Sequence, residues 1–333
     1  MSIPLADTTF VEASWILVVK SIVIFTVVMI IVPLLTVVER KLLGRFQHRY
    51  GPNRVGPKGL LQPLADAVKL VSKEAYKPDN AVGVLWAVGP LLVVFSALAA
   101  LAILPFGNVK DGVGFYGIDV PIGVLYFFAF GSFGFYGLLL GGWASGSKYA
   151  FLGAMRSAAQ LISYEISMGL ALLGAIMMSG SLSLPAIVES QNHIWYVIPQ
   201  FVGFIVFMVA GFAEANRAPF DLPEADAELV AGYQTEYGGM RYGTYAMTEY
   251  IEMFVISGIA VTFFLGGWRG PGPGFLDPIW TLVKIIGVIL FFMWIRATLP
   301  RLRYDQLMSL GWKILLPLAT LNVMVTAVVV TLS

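Results

Sequence analysis

The sequence predicts an all-α, polytopic membrane protein with eight transmembrane helices, one interfacial amphipathic helix, and both termini on the outside. Hydrophobic residues make up 58% of the 333-residue chain, charged residues 12%, and mean hydropathy is +0.80, well outside soluble globular usage. Eight stretches reach the roughly 20 mostly apolar residues that a helical span needs: about 14–38, 82–104, 121–143, 153–179, 194–213, 246–268, 279–299 and 311–331. Few residues lie outside them, so 1–333 reads as a single membrane domain, and no strand-like alternation suggests a barrel.

The connections orient the bundle. Those after the first, third, fifth and seventh spans carry 17 Lys and Arg; the other three carry only Lys110 and Arg269. By the positive-inside rule the basic set is inside. The N-terminal run holds Asp7 and Glu12 and no Lys or Arg before Lys20, and its apolar core is too long for a signal peptide, so it reads as a retained span.

The first inside connection, 39–78, has two parts. Residues 39–58 mix Arg with Gly51, Pro52, Gly56 and Pro57, which suits a fixed, irregular basic surface. Residues 59–76 place Leu60, Leu64, Val68 and Val71 on one helical face and Asp66, Lys69 and Lys73 on another, the pattern of a helix lying in the interface. The basic residues also fit a simple topogenic signal that attracts anionic lipid. Span four contains Glu165. A carboxylate in the bilayer centre costs on the order of 3 kcal/mol and faces a cavity or a partner. Lys20 and Lys284 raise the same question, and either can snorkel or pair with a carboxylate.

The most informative stretch is 212–252, whose inside acidic loop is expected over 214–245. It holds Glu214, Asp221, Glu224, Asp226, Glu228, Glu236, Glu249 and Glu252, eight of the 20 acids, against Arg217 and Arg241. Carboxylates packed beside hydrocarbon repel one another and lose solvation, so some bind protons reversibly near neutral pH. Glu214 and Arg217 are one turn apart and can pair; Glu249 and Glu252 are two acids on one face that share a proton or are separated by water. Pro219 and Pro223 break the helix where Asp221, Glu224 and Asp226 meet. The functional reading is a water-lined acid cluster linking the inside surface to the membrane interior; the alternative is a solvated acidic loop. In the last inside connection Arg296, Arg301 and Arg303 adjoin Tyr304 and Asp305, a polar wall for a ligand head group or a docked subunit.

Cys is absent, and His48 and His193 are expected on opposite sides of the membrane. Cys-ligated iron–sulfur clusters and bis-His haem are therefore excluded within this chain, and no metal site is expected.

Glu39-Arg40-Lys41, the run Gly51 to Pro57 (GPNRVGP), Gly59 to Asp66 (GLLQPLAD), Ala213 to Glu224 (AEANRAPFDLPE) and Pro300 to Met308 (PRLRYDQLM) together resemble the H-subunit family of proton-pumping NADH:quinone oxidoreductase, respiratory complex I. The resemblance runs from about residue 14 to the C-terminus. It implies a membrane subunit at the hinge between the redox arm and the membrane arm, forming the membrane side of the quinone chamber and the start of an acidic proton path. Carried over by position, Glu39, Arg40, Arg49, Phe220, Asp221 and Arg296 line the chamber or its mouth. Glu165, Glu214, Glu224, Asp226, Glu228 and Glu249 belong to the proton path. Asp226 stands where the family often has Glu, and Gly238 where it often has Ser.

The resemblance further implies quinone as substrate and no covalently bound cofactor, with flavin and iron–sulfur clusters in partner subunits. The expected partners are peripheral-arm quinone-site subunits, small membrane subunits and membrane lipid, with no nucleic acid, and the expected location is a bacterial inner membrane. The closest alternative is the related membrane subunit of energy-converting hydrogenases. A free-standing ion-coupled transporter is a further one, against which no two-fold internal repeat is found.

Overall fold

A computed structural model describes residues 14–110, 113–222 and 230–332. Long apolar helices dominate it: α1 (Ser14–Phe46), α3 (Gly83–Leu101), α4 (Gly123–Ala144), α5 (Lys148–Ser179), α7 (Phe201–Glu214), α8 (Gly239–Phe264), α9 (Asp277–Thr298) and α10 (Tyr304–Leu332), the last with a π turn over Gly311–Leu315. Two short helices join them, α2 (Gln62–Ser72) and α6 (Leu184–Ser190). Among the described residues the only sheet is the hairpin β1 (Gly107–Lys110) and β2 (Val113–Phe115). The chain is a polytopic, all-α integral membrane protein.

Seven of the described helices are long and apolar enough to cross a membrane. The stretch read from sequence as a span over 194–213 contains α7, which has only 14 residues, about 21 Å of helix. Backbone turns at Trp195 to Gln200 precede it. Gln200 explains the late start. Its amide is buried within the bundle, donating to Thr326 Oγ1 at 2.8 Å and accepting from Asn322 Nδ2 at 2.8 Å, which ties the start of α7 to α10.

Helix α8 lies at the centre, buried along most of its length, with α3, α9, α7, α1, α2 and α6 against it. Helices α3 and α4 approach closely through glycines, as membrane helices do: a methyl group on Gly89 would lie 2.8 Å from the Cα of Gly141. Gly180 ends α5 at φ 67°, a conformation that costs glycine little, with its N–H on Ile176 O.

Two boundaries differ from the sequence expectation. Helix α1 continues through Glu39, Arg40, Lys41 and Arg45 to Phe46, so the irregular basic surface starts only at Gln47. The helical period turns Glu39 inward, 1% exposed, while Arg40 and Arg45 face outward. Helix α8 begins at Gly239, well before the expected 246, because tertiary contacts hold its polar first turns. Arg241 stacks 4.1 Å over Trp86, and Trp86 stacks on Tyr237 at 5.2 Å. Glu249 therefore lies about 15 Å inside the helix.

Helix α2 docks through Leu70 against Gly243 of α8, leaving Leu64, Val68 and Val71 exposed, an apolar face turned away from the protein. Lys284 joins no acid row: its Nζ donates to the carbonyls of Leu265 (2.7 Å), Gly267 (2.9 Å) and Arg269 (2.7 Å) and sits 4.5 Å from the Trp195 ring centroid. It caps the end of α8. At about 1 kcal/mol per net hydrogen bond, Lys284→Met is expected to lower the thermal midpoint by a few degrees while leaving turnover of the folded protein unchanged. Loss of turnover without loss of stability would instead put Lys284 in the proton path.

Candidate functional site

Two polar clusters sit side by side within the bundle. The first is ionic. Glu39 of α1 faces Arg217, whose Nη1 lies 3.4 Å from both carboxylate oxygens, and it also accepts a hydrogen bond from Arg296 of α9. Arg217 Nε is 3.5 Å from Glu249 Oε2, and its guanidinium stacks 4.0 Å from the Tyr250 ring centroid. Gln234 donates to Glu249 Oε1 at 3.3 Å and to the Tyr233 hydroxyl at 3.0 Å. Two acids and two arginines thus balance in a space where Arg217 is 7% exposed, as a buried charge requires. Arg217 Nη2 has no hydrogen-bond partner among the described residues. A void of about 10 Å³ adjoins it, lined by Glu39, Arg217, Met253, Phe292, Met293 and Arg296.

The second cluster is acidic. Glu165 of α5, Glu214 of α7 and Glu252 of α8 line one cavity of about 30 Å³ with Ser96 of α3, room for about two waters. Ser132 of α4 donates to Glu165 Oε1 at 3.0 Å. Glu214 Oε2 is buried with no hydrogen-bond partner among the described residues. The rest of the wall is apolar, including Ala97, Phe127, Phe128, Met168 and Val255, so water and neighbouring carboxyls are the groups able to exchange protons there.

Backbone geometry joins the clusters. Helix α7 ends at Glu214, and Asn216 takes φ 49°, a left-handed conformation that Asn tolerates better than most residues. The turn sends Glu214 into the acid cavity and Arg217 toward Glu39, so the expected Glu214–Arg217 pair is not formed. On α8, Glu249 meets Arg217 while Glu252 enters the cavity, so these two acids divide between the clusters.

Residues 19–327 match the family described as NADH dehydrogenase. The chain belongs to the NADH dehydrogenase family. It is 49% identical over 312 residues to one of the NADH-quinone oxidoreductase H subunits of Geobacter sulfurreducens, covering 92% of this chain and 94% of that protein. The H subunit of Thermomicrobium roseum is 50% identical over 309 residues, 87% of this chain and 89% of its own. That of Paramagnetospirillum magneticum is 47% identical over 320 residues, with 93% and 92% covered.

In this NADH dehydrogenase family member the structure gathers Glu39, Arg296, Glu249, Glu165 and Glu214 into the two clusters. Phe220 lies beside them, 4% exposed, its ring 5.7 Å from that of Tyr164, and Asp221 is half-buried in the same loop. Arg40 and Arg49 are elsewhere: Arg40 bonds Asp66 on α2 at 2.8 Å, and Arg49 donates to Gln47 at the surface. Glu224, Asp226 and Glu228 lie outside the described residues.

Several residues of the clusters lay outside the sequence-derived site set, Arg217, Glu252 and Gln234 among them. Arg217 was visible only as a possible partner of Glu214, and Glu252 only as the twin of Glu249. Gln234 carried no signal.

The Arg40–Asp66 pair links α1 to α2. Partial burial opposes ionisation of Asp66, but hydrogen bonds from Lys69, Gln62 and Arg40 outweigh it and hold the carboxyl below its ordinary value. A depressed carboxyl stabilises the fold above the unfolded pKa, and that contribution is lost as pH falls through the folded value. Asp66→Asn is therefore expected to loosen α2 slightly at neutral pH, by under about 1 kcal/mol for so exposed a pair, and to make no difference at a strongly acid pH where the carboxyl is protonated in the folded protein. Hydrogen exchange of α2 at both pH values measures this.

Proposed function

We propose that the chain is the membrane subunit of a bacterial NADH:quinone oxidoreductase that forms the membrane side of the quinone chamber and couples quinone reduction to proton translocation. The observation that carries this reading is the adjacency of the ionic and acidic clusters, joined at Glu214–Arg217 and at Glu249–Glu252. The names of the relatives, each an H subunit of NADH-quinone oxidoreductase, favour it over a hydrogenase subunit or a free-standing transporter.

The quinone head group binds on the inner side, beside Arg217 and Arg296. A chamber wall there uses Glu39, Phe220 and Asp221, with Arg40 and Arg49 at the mouth, and needs a peripheral-arm subunit to close it. The void between Arg217 and Arg296 holds at most one water, so this chain supplies one wall and not the whole chamber. Reduction of a quinone to quinol takes two electrons, supplied by flavin and iron–sulfur clusters of partner subunits, and two protons. Negative charge arriving on the quinone oxygens competes with Glu39 and Glu249 for Arg217. An arginine drawn toward the quinone leaves those carboxylates with less counter-charge, and they take up protons.

Glu249 passes the change on. Side chains three residues apart on a helix lie about 5–6 Å apart at Cβ, where two ionised carboxylates repel by about 3 kcal/mol at an effective dielectric near 20. The charge on Glu249 therefore sets the proton occupancy of Glu252 and, through the shared cavity, of Glu214 and Glu165. Glu224, Asp226 and Glu228 are proposed as further members of the path. Eight spans, α7 among them, place both termini outside, α2 in the interface facing lipid, and residues 1–333 in one membrane domain of the bacterial inner membrane.

Tagging the C-terminus, extracting gently from native membranes and identifying the co-purifying chains tests this reading. Flavin and iron–sulfur subunits with inhibitor-sensitive NADH:quinone activity are expected. Nickel–iron hydrogenase subunits, or an active carrier purified alone, would overturn it.

A further inference from the structure

The segment 213–222 carries Glu214, Arg217, Phe220 and Asp221, yet it has no regular structure after α7 ends at Glu214. Its position must be fixed from outside. Loops surrounded by protein need partners for their backbone carbonyls, and here one side chain supplies two of them. Gln160 of α5 is fully buried. Its Nε2 donates to Ala213 O at 2.7 Å and Phe220 O at 2.9 Å, and lies 3.4 Å from Asn216 Oδ1. All three partners are acceptors, so the amide can be oriented only one way. The two strong bonds grip the ends of the turn, and the longer one touches the left-handed residue between them. The next turn of α5 continues the contact: Tyr164 packs its ring on Phe220 and sends its hydroxyl to Leu307 O at 2.8 Å. On its other side the loop is held by Leu302 N on Pro219 O at 3.1 Å.

Gln160 also lies on the same helix as Glu165. One rigid element therefore carries both a wall of the acid cavity and the grip on the loop that presents Arg217. We propose that Gln160 is a positioning residue that sets the register of the 213–222 loop, and so places Arg217 and Phe220 for the quinone head group. The proposal rests on the functional reading above. Gln160 touches neither quinone nor proton and acts through the loop alone. Its own Oε1 has no partner among the described residues, so the side chain is held in place by what it donates, and the grip depends on the N–H groups.

Gln160→Met keeps the length and approximate volume and removes both donors. In the intact complex this variant is expected to speed hydrogen exchange of the 213–222 amides about tenfold and to raise the quinone KM about tenfold, with kcat falling less. NADH oxidation by a hydrophilic artificial acceptor, which needs only the partner subunits, stays at the wild-type rate. Tyr164→Phe, which removes one hydrogen bond from the same face of α5 but none from the loop's own carbonyls, is expected to leave the quinone KM unchanged. Wild-type loop exchange and KM in assembled Gln160→Met would overturn the proposal, as would an equal rise in KM in Tyr164→Phe.

If Gln160→Met does not assemble, Gln160→Asn draws the donors back by one methylene while keeping their chemistry. The same changes in smaller measure are expected, and wild-type behaviour in both readouts would overturn the assignment. Failure of the underlying functional reading is separate, because the wild-type complex would then show no quinone reduction at all.

Discussion

Arg217→Met is expected to reduce the amount of intact complex in native membranes to a small fraction of wild type and to abolish quinone reduction in what remains. Arg217 is the only cation within reach of both Glu39 and Glu249 among the described residues. Removing one partner of a buried ionic cluster leaves uncompensated charge and costs about 3–5 kcal/mol, comparable to a large part of a domain's net stability. Arg296 still neutralises Glu39, whereas Glu249 loses the guanidinium beside it and keeps the neutral Gln234 amide. Arg217→Lys restores the charge without the planar fork that reaches two carboxylates. It is expected to recover assembly and only part of the quinone activity. Native gels with in-gel NADH oxidation and quinone kinetics on purified complex measure both; wild-type amounts of active Arg217→Met complex would show that the ionic cluster is dispensable.

Glu252→Gln is expected to lower proton-coupled quinone reduction at least about tenfold, the effect of 1.4 kcal/mol on a rate-limiting step, with assembly and NADH oxidation by a hydrophilic acceptor unchanged. The substitution is isosteric and sits in a cavity able to hold water, so folding has little reason to suffer. It removes the carboxylate through which, in the proposed path, Glu249 reaches Glu165 and Glu214. Proton uptake and quinone reduction followed together in proteoliposomes give the result. Full turnover with an unchanged proton-to-electron ratio would show that the acid cavity is structural.

The fold was largely legible because hydrocarbon allows few spanning structures, and apolar runs of about 20 residues announce helices. What hydropathy misplaced were boundaries decided by polar contacts. Helix α7 starts late because the Gln200 amide is engaged with Asn322 and Thr326, and α8 starts early because Arg241 and Tyr237 pack on Trp86. The candidate site was legible in part: Glu165, Glu214 and Glu249 stood out as acids among apolar runs, Arg296 as part of a basic connection, and Glu39 only through the family resemblance. Their division into an ionic and an acidic cluster was not legible. It depends on the left-handed turn at Asn216, which overrides the helical spacing of Glu214 and Arg217, and on helices distant in sequence that meet Glu249 and Glu252 separately. Gln160 and Gln234 sit in runs where a lone amide gives no sign of what it will hold.

Coupling between the two clusters is tested most directly by the infrared difference spectrum of the purified complex between oxidised and reduced quinone, in the region where protonated carboxyl groups absorb. A carboxyl band that changes on quinone reduction is expected, lost or shifted in both Glu249→Gln and Glu252→Gln. A wild-type spectrum without any carboxyl change, or a band that persists unaltered in both variants, would contradict the coupling.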